Sequence, residues 1–136
     1  SGKRTAPSAM NWQEVDVYAC TADGVYRYLP KEHAIELVSS NDIRAATGTQ
    51  PFVKDAAVNL VFVGNLDKVR GSDPARKEAA ANVDAAFISE NVYLFCASEG
   101  LATVVRGSVD RAALGKLLGL GPEQRVLLAQ TVGYPK

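Results

Sequence analysis

The chain is 136 residues long and 47% hydrophobic, which is enough for one domain with a buried core. Fifteen basic and fifteen acidic side chains cancel, so no long-range field attracts polyanions and nucleic acid is not an expected partner. No apolar run approaches the roughly 20 residues that cross a bilayer, so no membrane span is predicted. We expect residues 1–136 to form a single domain in the cytoplasm, or in the periplasm if a signal segment precedes Ser1.

The cysteines and the histidine do not predict a metal site or a catalytic side chain. Cys20 and Cys96 are far apart and lack CxxC spacing, so we expect two buried free thiols. His33 is the only histidine and lies in a polar stretch, which is typical of a surface residue.

The first half of the sequence predicts mainly strands. Apolar and polar residues alternate over residues 14–21, 25–29 and 33–38, which favours an antiparallel meander of three strands. A short helix is predicted over residues 41–48, with Asn41 or Asp42 as its cap and Gly48 in the left-handed closing conformation. The apolar run at residues 56–63 predicts a strand that is covered on both faces.

The second half is dominated by one long helix. Residues 75–99 contain neither Gly nor Pro and would extend about 37 Å as a helix, at ~1.5 Å per residue. Its latter half is apolar nearly all round, which predicts a helix buried centrally or against a partner subunit. The first apolar stripe consists of Ala79, Val83, Ala86, Phe87, Leu94 and Phe95. A connector or strand at residues 103–106, a helix from Asp110 to Leu118 and a strand at residues 125–132 complete an α+β fold.

Three polar segments are candidates for a binding site. Residues 4–13 read RTAPSAMNWQ, in which Ser8, Asn11 and Gln13 can bind the polar edge of a planar ligand, while Arg4 can neutralise an anion. Residues 100–110 read GLATVVRGSVD, in which small residues allow close backbone approach. Residues 130–136 read QTVGYPK and end in a cation. On composition alone, the first two segments are more typical of ordinary connections than of a binding site, and Lys136 in the third is equally compatible with a solvated cation. No G-x-G-x-x-G or P-loop pattern indicates a nucleotide site.

The order of these segments resembles the nitroreductase superfamily, in particular the branch related to azoline-oxidising dehydrogenases of peptide maturation. Residues 4–13 are similar to the family's arginine and Ala-Pro-Ser loop, and VDVY at residues 15–18 is similar to the strand that follows it. The run DGVYRY at residues 23–28 resembles the hairpin of the dehydrogenase branch. Residues 82–101, which contain DAAFISENVYL, resemble the central dimer helix that ends in Gly-Leu.

The resemblance implies an α+β sandwich that forms a homodimer with FMN at the subunit interface. By analogy, the flavin or its phosphate would be contacted by Arg4, Pro7, Ser8, Ala9 and Asn11, the ring would be bordered by Val105, Arg106, Gly107 and Ser108, and Lys136 would approach the phosphate. The Arg106 guanidinium would then favour a reduced, anionic flavin. The implied activity is two-electron transfer from NAD(P)H through FMN to a nitroaromatic, a quinone or a similar acceptor, with no catalytic side chain required.

The resemblance also leaves alternatives open. Family members usually begin with helices that carry an Arg-Ser-x-Arg-like phosphate-binding motif, so we expect this chain to be the C-terminal part of a longer subunit. The loop after the central helix reads VVRGS at residues 104–108 where the family usually has glycine and proline. The alternative functions are a non-catalytic homodimeric flavin-binding or scaffold protein, and an azoline dehydrogenase.

Overall fold

A computed structural model describes residues 3–136. The elements of this part of the chain are β1 (Val15–Thr21), β2 (Gly24–Leu29), β3 (Ala34–Ser39), β4 (Val58–Asn65), α1 (Pro74–Glu99), β5 (Ala102–Arg106), α2 (Arg111–Leu118) and β6 (Gln124–Gly133). Short 3-10 turns lie at Ala9–Asn11, Arg44–Thr47, Pro51–Asp55 and Leu66–Lys68.

The strands form one antiparallel sheet in the order β3-β2-β1-β4-β6-β5. The predicted meander is confirmed, because β1 pairs with β2 and β2 with β3. The predicted buried strand is also confirmed, because β4 lies between β1 and β6 and is buried over most of its length.

The core lies on both faces of the sheet, as the period of two along a strand requires. In β4, Val61 and Val63 pack towards α2, whereas the fully buried Phe62 packs towards α1. Burying a side chain such as that of Phe62 stabilises the fold by about 1.5–3 kcal/mol. Two layers of apolar contacts therefore fix the position of α1 and α2 on opposite faces of the sheet.

The long helix begins and ends where the sequence predicts. The Asp73 side chain accepts a hydrogen bond from the Ala75 N–H, Pro74 occupies the first turn, and Gly100 adopts the left-handed conformation with φ 69°. The prediction for Gly48 is wrong, because its backbone is extended with φ −179°. A Cβ at Gly48 would overlap Nη1 of Arg106, so close approach explains this glycine.

The face by which α1 packs on the sheet differs from the predicted apolar stripe that includes Phe87 and Leu94. Its buried residues are Ala81, Asp84, Ala85, Ser89 and Cys96. By contrast, all members of that stripe are exposed in the described chain, including Phe87 at 47% and Leu94 at 61%. Small side chains permit close approach of the helix to the sheet, so the larger apolar residues project outwards.

Candidate functional site

A cleft of about 740 Å³ lies between the segment before β1, the β1–β2 strands and the second half of α1. This volume falls within the range of roughly 300–1,000 Å³ that small-molecule sites occupy. Its walls include the apolar residues Val17, Leu60, Ile88 and Val92. Its polar side includes residues of the segment 3–13, which we call the N-terminal loop: Lys3, Arg4, Thr5, Ser8 and Gln13. The cleft thus combines apolar walls with a polar edge.

The N-terminal loop has an unusual backbone conformation. Met10, Asn11 and Gln13 have φ values of 50°, 54° and 50°, a region that residues other than glycine rarely occupy. The Ser8 side chain closes the loop by accepting a hydrogen bond from the Gln13 N–H at 3.0 Å. Such conformations cost of order 1–3 kcal/mol each and concentrate at functional sites, so this loop is a candidate ligand-binding element.

Hydrogen bonds involving Arg4, Thr5 and Ala9 attach the N-terminal loop to the rest of the fold. The Ala9 N–H donates to Oδ2 of Asp84 in α1 at 3.0 Å. Further along α1, Nδ2 of Asn91 donates to the Thr5 hydroxyl at 3.0 Å. Nη1 of Arg4 donates to the Val15 carbonyl at 3.4 Å, at the start of β1. The loop is therefore held over the cleft mainly by α1.

Below the loop, two buried carboxyl groups lie close together. Glu14 is 0% exposed and Asp84 is 3% exposed. The pKa of Glu14 is raised from its ordinary value of 4.5 to about 7, mainly by burial and also by hydrogen bonding to and the charge of Asp84, while Arg4 opposes the shift. The Glu14 carboxyl therefore holds its proton to a higher pH than an ordinary glutamate does.

Glu14 and Asp84 were not predicted as site residues. Asp84 carries a detectable signal, since it is a charged residue between Ala81, Ala85 and Ile88 on the sheet-facing side of the helix. Glu14 has no comparable signal, because a glutamate directly before a strand is normally solvated. Glu14 is buried by the N-terminal loop and α1, and these two segments come together only in the folded chain.

The side chain of Arg106 is buried and hydrogen-bonded within the chain. Its side chain is 4% exposed, and its guanidinium donates to the Thr47 carbonyl at 2.6 Å, to the Thr131 hydroxyl at 3.0 Å and to Oδ1 of Asn59 at 3.3 Å. All three nitrogens of the group have partners within the chain. Within the chain this guanidinium connects β4, β5 and β6 to the turn at Thr47, and its predicted effect on an anionic flavin stays a prediction.

The predicted site residues form separate groups in this chain. Arg4, Pro7 and Ser8 line the cleft, and Ala9 and Asn11 belong to the same loop. Residues 105–108 lie at the end of β5, where the Val105 N–H donates to the Tyr93 hydroxyl and the Ser108 carbonyl accepts from the Thr49 N–H. β1 and β5 are separated by three strand spacings, or about 14 Å. Residues 105–108 and Lys136 do not line the cleft.

The remaining sequence predictions concern the thiols, the histidine and metals. Cys20 and Cys96 are free and buried, as predicted. His33 is exposed, also as predicted, and its Nδ1 lies 2.9 Å from the Tyr28 hydroxyl at the cleft. Within residues 3–136, no cluster of three or more metal-ligating side chains is present, and no helix is long and apolar enough to cross a membrane.

The sheet, its two flanking helices and the loop-covered cleft define an α+β sandwich. The sequence model of the Nitroreductase family matches residues 2–134. The chain therefore belongs to the nitroreductase family, and the predicted nitroreductase-like α+β sandwich is confirmed. No curated protein matches the chain.

Solved structures agree with this assignment. A proposed nitroreductase from Ralstonia eutropha JMP134 is 39% identical with a TM-score of 0.90, and the match covers 98% of this chain and 63% of that one. The Escherichia coli microcin synthetase McbBCD complex, with truncated pro-MccB17 bound, gives 20% identity and a TM-score of 0.86 over 100% of this chain and 57% of that one. The NADPH:FMN oxidoreductase from Vibrio harveyi complexed with NAD+ is 24% identical with a TM-score of 0.71, and the match covers 97% of this chain and 55% of that one. The chain thus spans less than two-thirds of each of these proteins' chains, and the last two likenesses concern the fold alone.

Proposed function

We propose that the chain is the cofactor-binding part of an FMN-dependent oxidoreductase that transfers two electrons from NAD(P)H to a nitroaromatic, quinone or similar acceptor. Family membership supports an oxidoreductase, and the NADPH:FMN oxidoreductase from Vibrio harveyi has the same fold. The observation that carries the proposal is the cleft under the N-terminal loop, because it offers apolar walls and a polar edge to one planar ligand.

The cleft residues fit the chemical character of a flavin. The flat faces of its ring system match Val17, Leu60, Ile88 and Val92, and hydrogen-bonding groups at its edge match Ser8 and Gln13. Arg4 would attract the phosphate, and Pro7 would hold the loop in one conformation. When bound, FMN would supply the two-electron chemistry, while the chain binds it, orients it and excludes water.

A homodimer would bring the remaining predicted residues to the site. The outer face of α1 exposes Val83, Phe87 and Leu94, with exposed fractions between 47% and 61%. An apolar face of this kind marks an interaction surface. Because residues 105–108 and Lys136 lie away from the cleft of their own chain, we propose that they contribute to the site of a second copy.

An azoline dehydrogenase within a peptide-modifying complex is the second candidate. The likeness in fold to the McbBCD complex, which contains a bound pro-peptide, covers 100% of this chain and favours this alternative over a scaffold. The two activities differ in their electron donor. NAD(P)H reduces the flavin of the first enzyme, whereas a dehydrogenase of this kind takes electrons from its peptide substrate and requires partner proteins.

The test is FMN binding by the purified protein, measured from the visible flavin spectrum and by titration, followed by anaerobic addition of NADPH or NADH. Val92→Trp fills the cleft and should weaken FMN binding by at least about tenfold, since the space for the ring is lost. Leu117→Trp is the matched control, because Leu117 is 51% exposed on α2 and lies outside the cleft.

The outcomes separate the candidates. Flavin binding that is sensitive to Val92→Trp, with bleaching by NAD(P)H, supports the proposed oxidoreductase. Binding without bleaching favours the dehydrogenase or a flavin-binding scaffold. Failure of the wild-type protein to bind added FMN, or equal binding by both variants, contradicts the proposed cleft.

A further inference from the structure

Two buried acids from different elements line the cleft next to the N-terminal loop. Glu14 lies directly before β1, and Asp84 lies on the sheet-facing side of α1. Both side chains are more than nine-tenths buried, and both line the floor of the cleft. Two ionised carboxylates in such a place repel each other and lack solvent, so one of them is expected to retain a proton.

The hydrogen bonds around Glu14 and Asp84 indicate the role of this proton. Oδ2 of Asp84 accepts from the Ala9 N–H, so Asp84 acts as an acceptor for the loop. Neither Oε1 nor Oε2 of Glu14 has a donor within the described part of the chain. Asp84 is the neighbouring group whose hydrogen bonding and charge raise the pKa of Glu14, but an ionised carboxylate can only accept a hydrogen bond. A proton on Glu14 supplies the donor that this arrangement lacks.

We propose that Glu14 and Asp84 share one proton, and that this proton locks the N-terminal loop onto α1. Glu14 is thus a positioning residue: protonated, it donates to Asp84 and holds the Asp84 carboxylate in place for the Ala9 N–H. Loss of the proton places a second negative charge beside Asp84 and releases the loop.

The other charged groups around Glu14 do not replace the proton. Arg4 of the loop attracts the Glu14 carboxylate, but this attraction is outweighed by burial and by Asp84, so the pKa remains about 7. Asp16 of β1 has its own donor, Nδ2 of Asn65 in β4, at 3.0 Å. Nδ2 and the backbone N–H of Asn65 also donate to the backbone carbonyl of Glu14. Neither of them donates to the Glu14 carboxyl group.

The lock has a defined direction with pH. Below neutrality Glu14 is protonated and the loop is closed; above pH 7 it is increasingly ionised and the loop opens. If the cleft binds FMN, which rests on the proposed function, the loop residues Ser8 and Asn11 are withdrawn from the flavin as the pH rises. The lock itself requires no cofactor and is testable without one.

Trp12 provides a reporter, because it is the only tryptophan and lies in the loop. The measurement is acrylamide quenching of Trp12 fluorescence in the flavin-free protein between pH 5.5 and 8.5. In the wild type, the quenching constant should rise at least about twofold with a midpoint near 7. In Glu14→Gln, the rise should be absent and quenching should stay low, since the amide donates to Asp84 at every pH.

Two control variants should behave like the wild type, and a third variant should give high quenching at every pH. Asp16→Asn removes another cleft carboxyl, and His33→Gln removes a side chain of the type that commonly titrates near neutral pH; both should retain the transition. Asp84→Ala removes the acceptor of the Ala9 N–H and should give high quenching throughout. A flat wild-type profile, or a transition that persists in Glu14→Gln or disappears in His33→Gln, overturns the proposal. None of these results depends on whether FMN binds, so failure of the lock and failure of the proposed function remain distinguishable.

Discussion

Replacement of Glu14 by glutamine should stabilise the protein at alkaline pH and have little effect in acid. The folded protein holds the Glu14 proton more tightly than the unfolded chain does, because burial and Asp84 raise its pKa from 4.5 to about 7. The stability that this proton contributes is therefore fully present below pH 4.5 and is lost as the pH rises through 7. The glutamine side chain cannot ionise, so the variant should not show this loss.

The magnitude follows from the same shift. Each tenfold change in proton affinity corresponds to about 1.4 kcal/mol, so the full displacement amounts to about 3 kcal/mol. The free energy of unfolding of Glu14→Gln should exceed that of the wild type by less than about 1 kcal/mol at pH 5 and by about 3 kcal/mol at pH 8.

Urea denaturation of both proteins at pH 5, 6, 7 and 8 measures this difference, at one protein concentration so that any association contributes equally. Taking the difference between the two proteins removes the titration of the other carboxyl groups. Asp16→Asn is the matched control and should not show the same growth with pH, because the Asp16 carboxylate already has a donor in Asn65. Parallel curves for the wild type and Glu14→Gln would refute the assignment of a buried, proton-holding Glu14.

Further predictions concern the buried network, the outer helix face and the thiols. Arg106→Ala should lower the free energy of unfolding by about 2–4 kcal/mol in urea denaturation, because buried acceptors lose their donors. Gly48→Ala should lower it by about 1–3 kcal/mol, because its Cβ displaces the same guanidinium. Phe87→Ala should change monomer unfolding by less than about 1 kcal/mol but weaken self-association in sedimentation equilibrium, since the ring is 47% exposed. Cys20, whose pKa burial raises to about 12, and the buried Cys96 should react with a disulfide reagent only after unfolding; rapid labelling of the native protein would contradict their placement.

The order of strands and helices could be predicted because each local signal agrees with the final environment. Alternation in β1 and β2, the continuous apolar run of β4 and the Asp73 and Gly100 caps of α1 all depend on near neighbours. The prediction of a helix over residues 41–48 is only partly correct. Only Arg44–Thr47 forms a 3-10 turn, and the Arg44 N–H donates to the Asp42 side chain. A long-range contact with Arg106, not a helix end, explains Gly48.

The site was harder to predict because its residues are distant in sequence. The loop at residues 4–13 was identified from its composition, and the structure places much of it at the cleft. The positive charge of Arg106 favours a prediction of anion binding. The sequence does not show that Thr47, Asn59 and Thr131 surround its guanidinium. Glu14 and Asp84 are 70 positions apart, so their shared environment exists only in the folded chain.

The two sides of α1 connect the proposed site with the proposed dimer. Its sheet-facing side carries Asp84, which holds the loop, and its outer side carries Phe87, less than one turn away. Apolar residues at helical spacing, such as the stripe that contains Phe87, predict a buried helix face. The spacing does not distinguish burial against the sheet of the same chain from burial against a second copy. Because a helix moves as a rigid unit over such a short distance, any shift of α1 on dimer formation also moves Asp84 relative to Glu14. The midpoint of the Trp12 transition should therefore depend on protein concentration in the wild type and lose that dependence in Phe87→Ala.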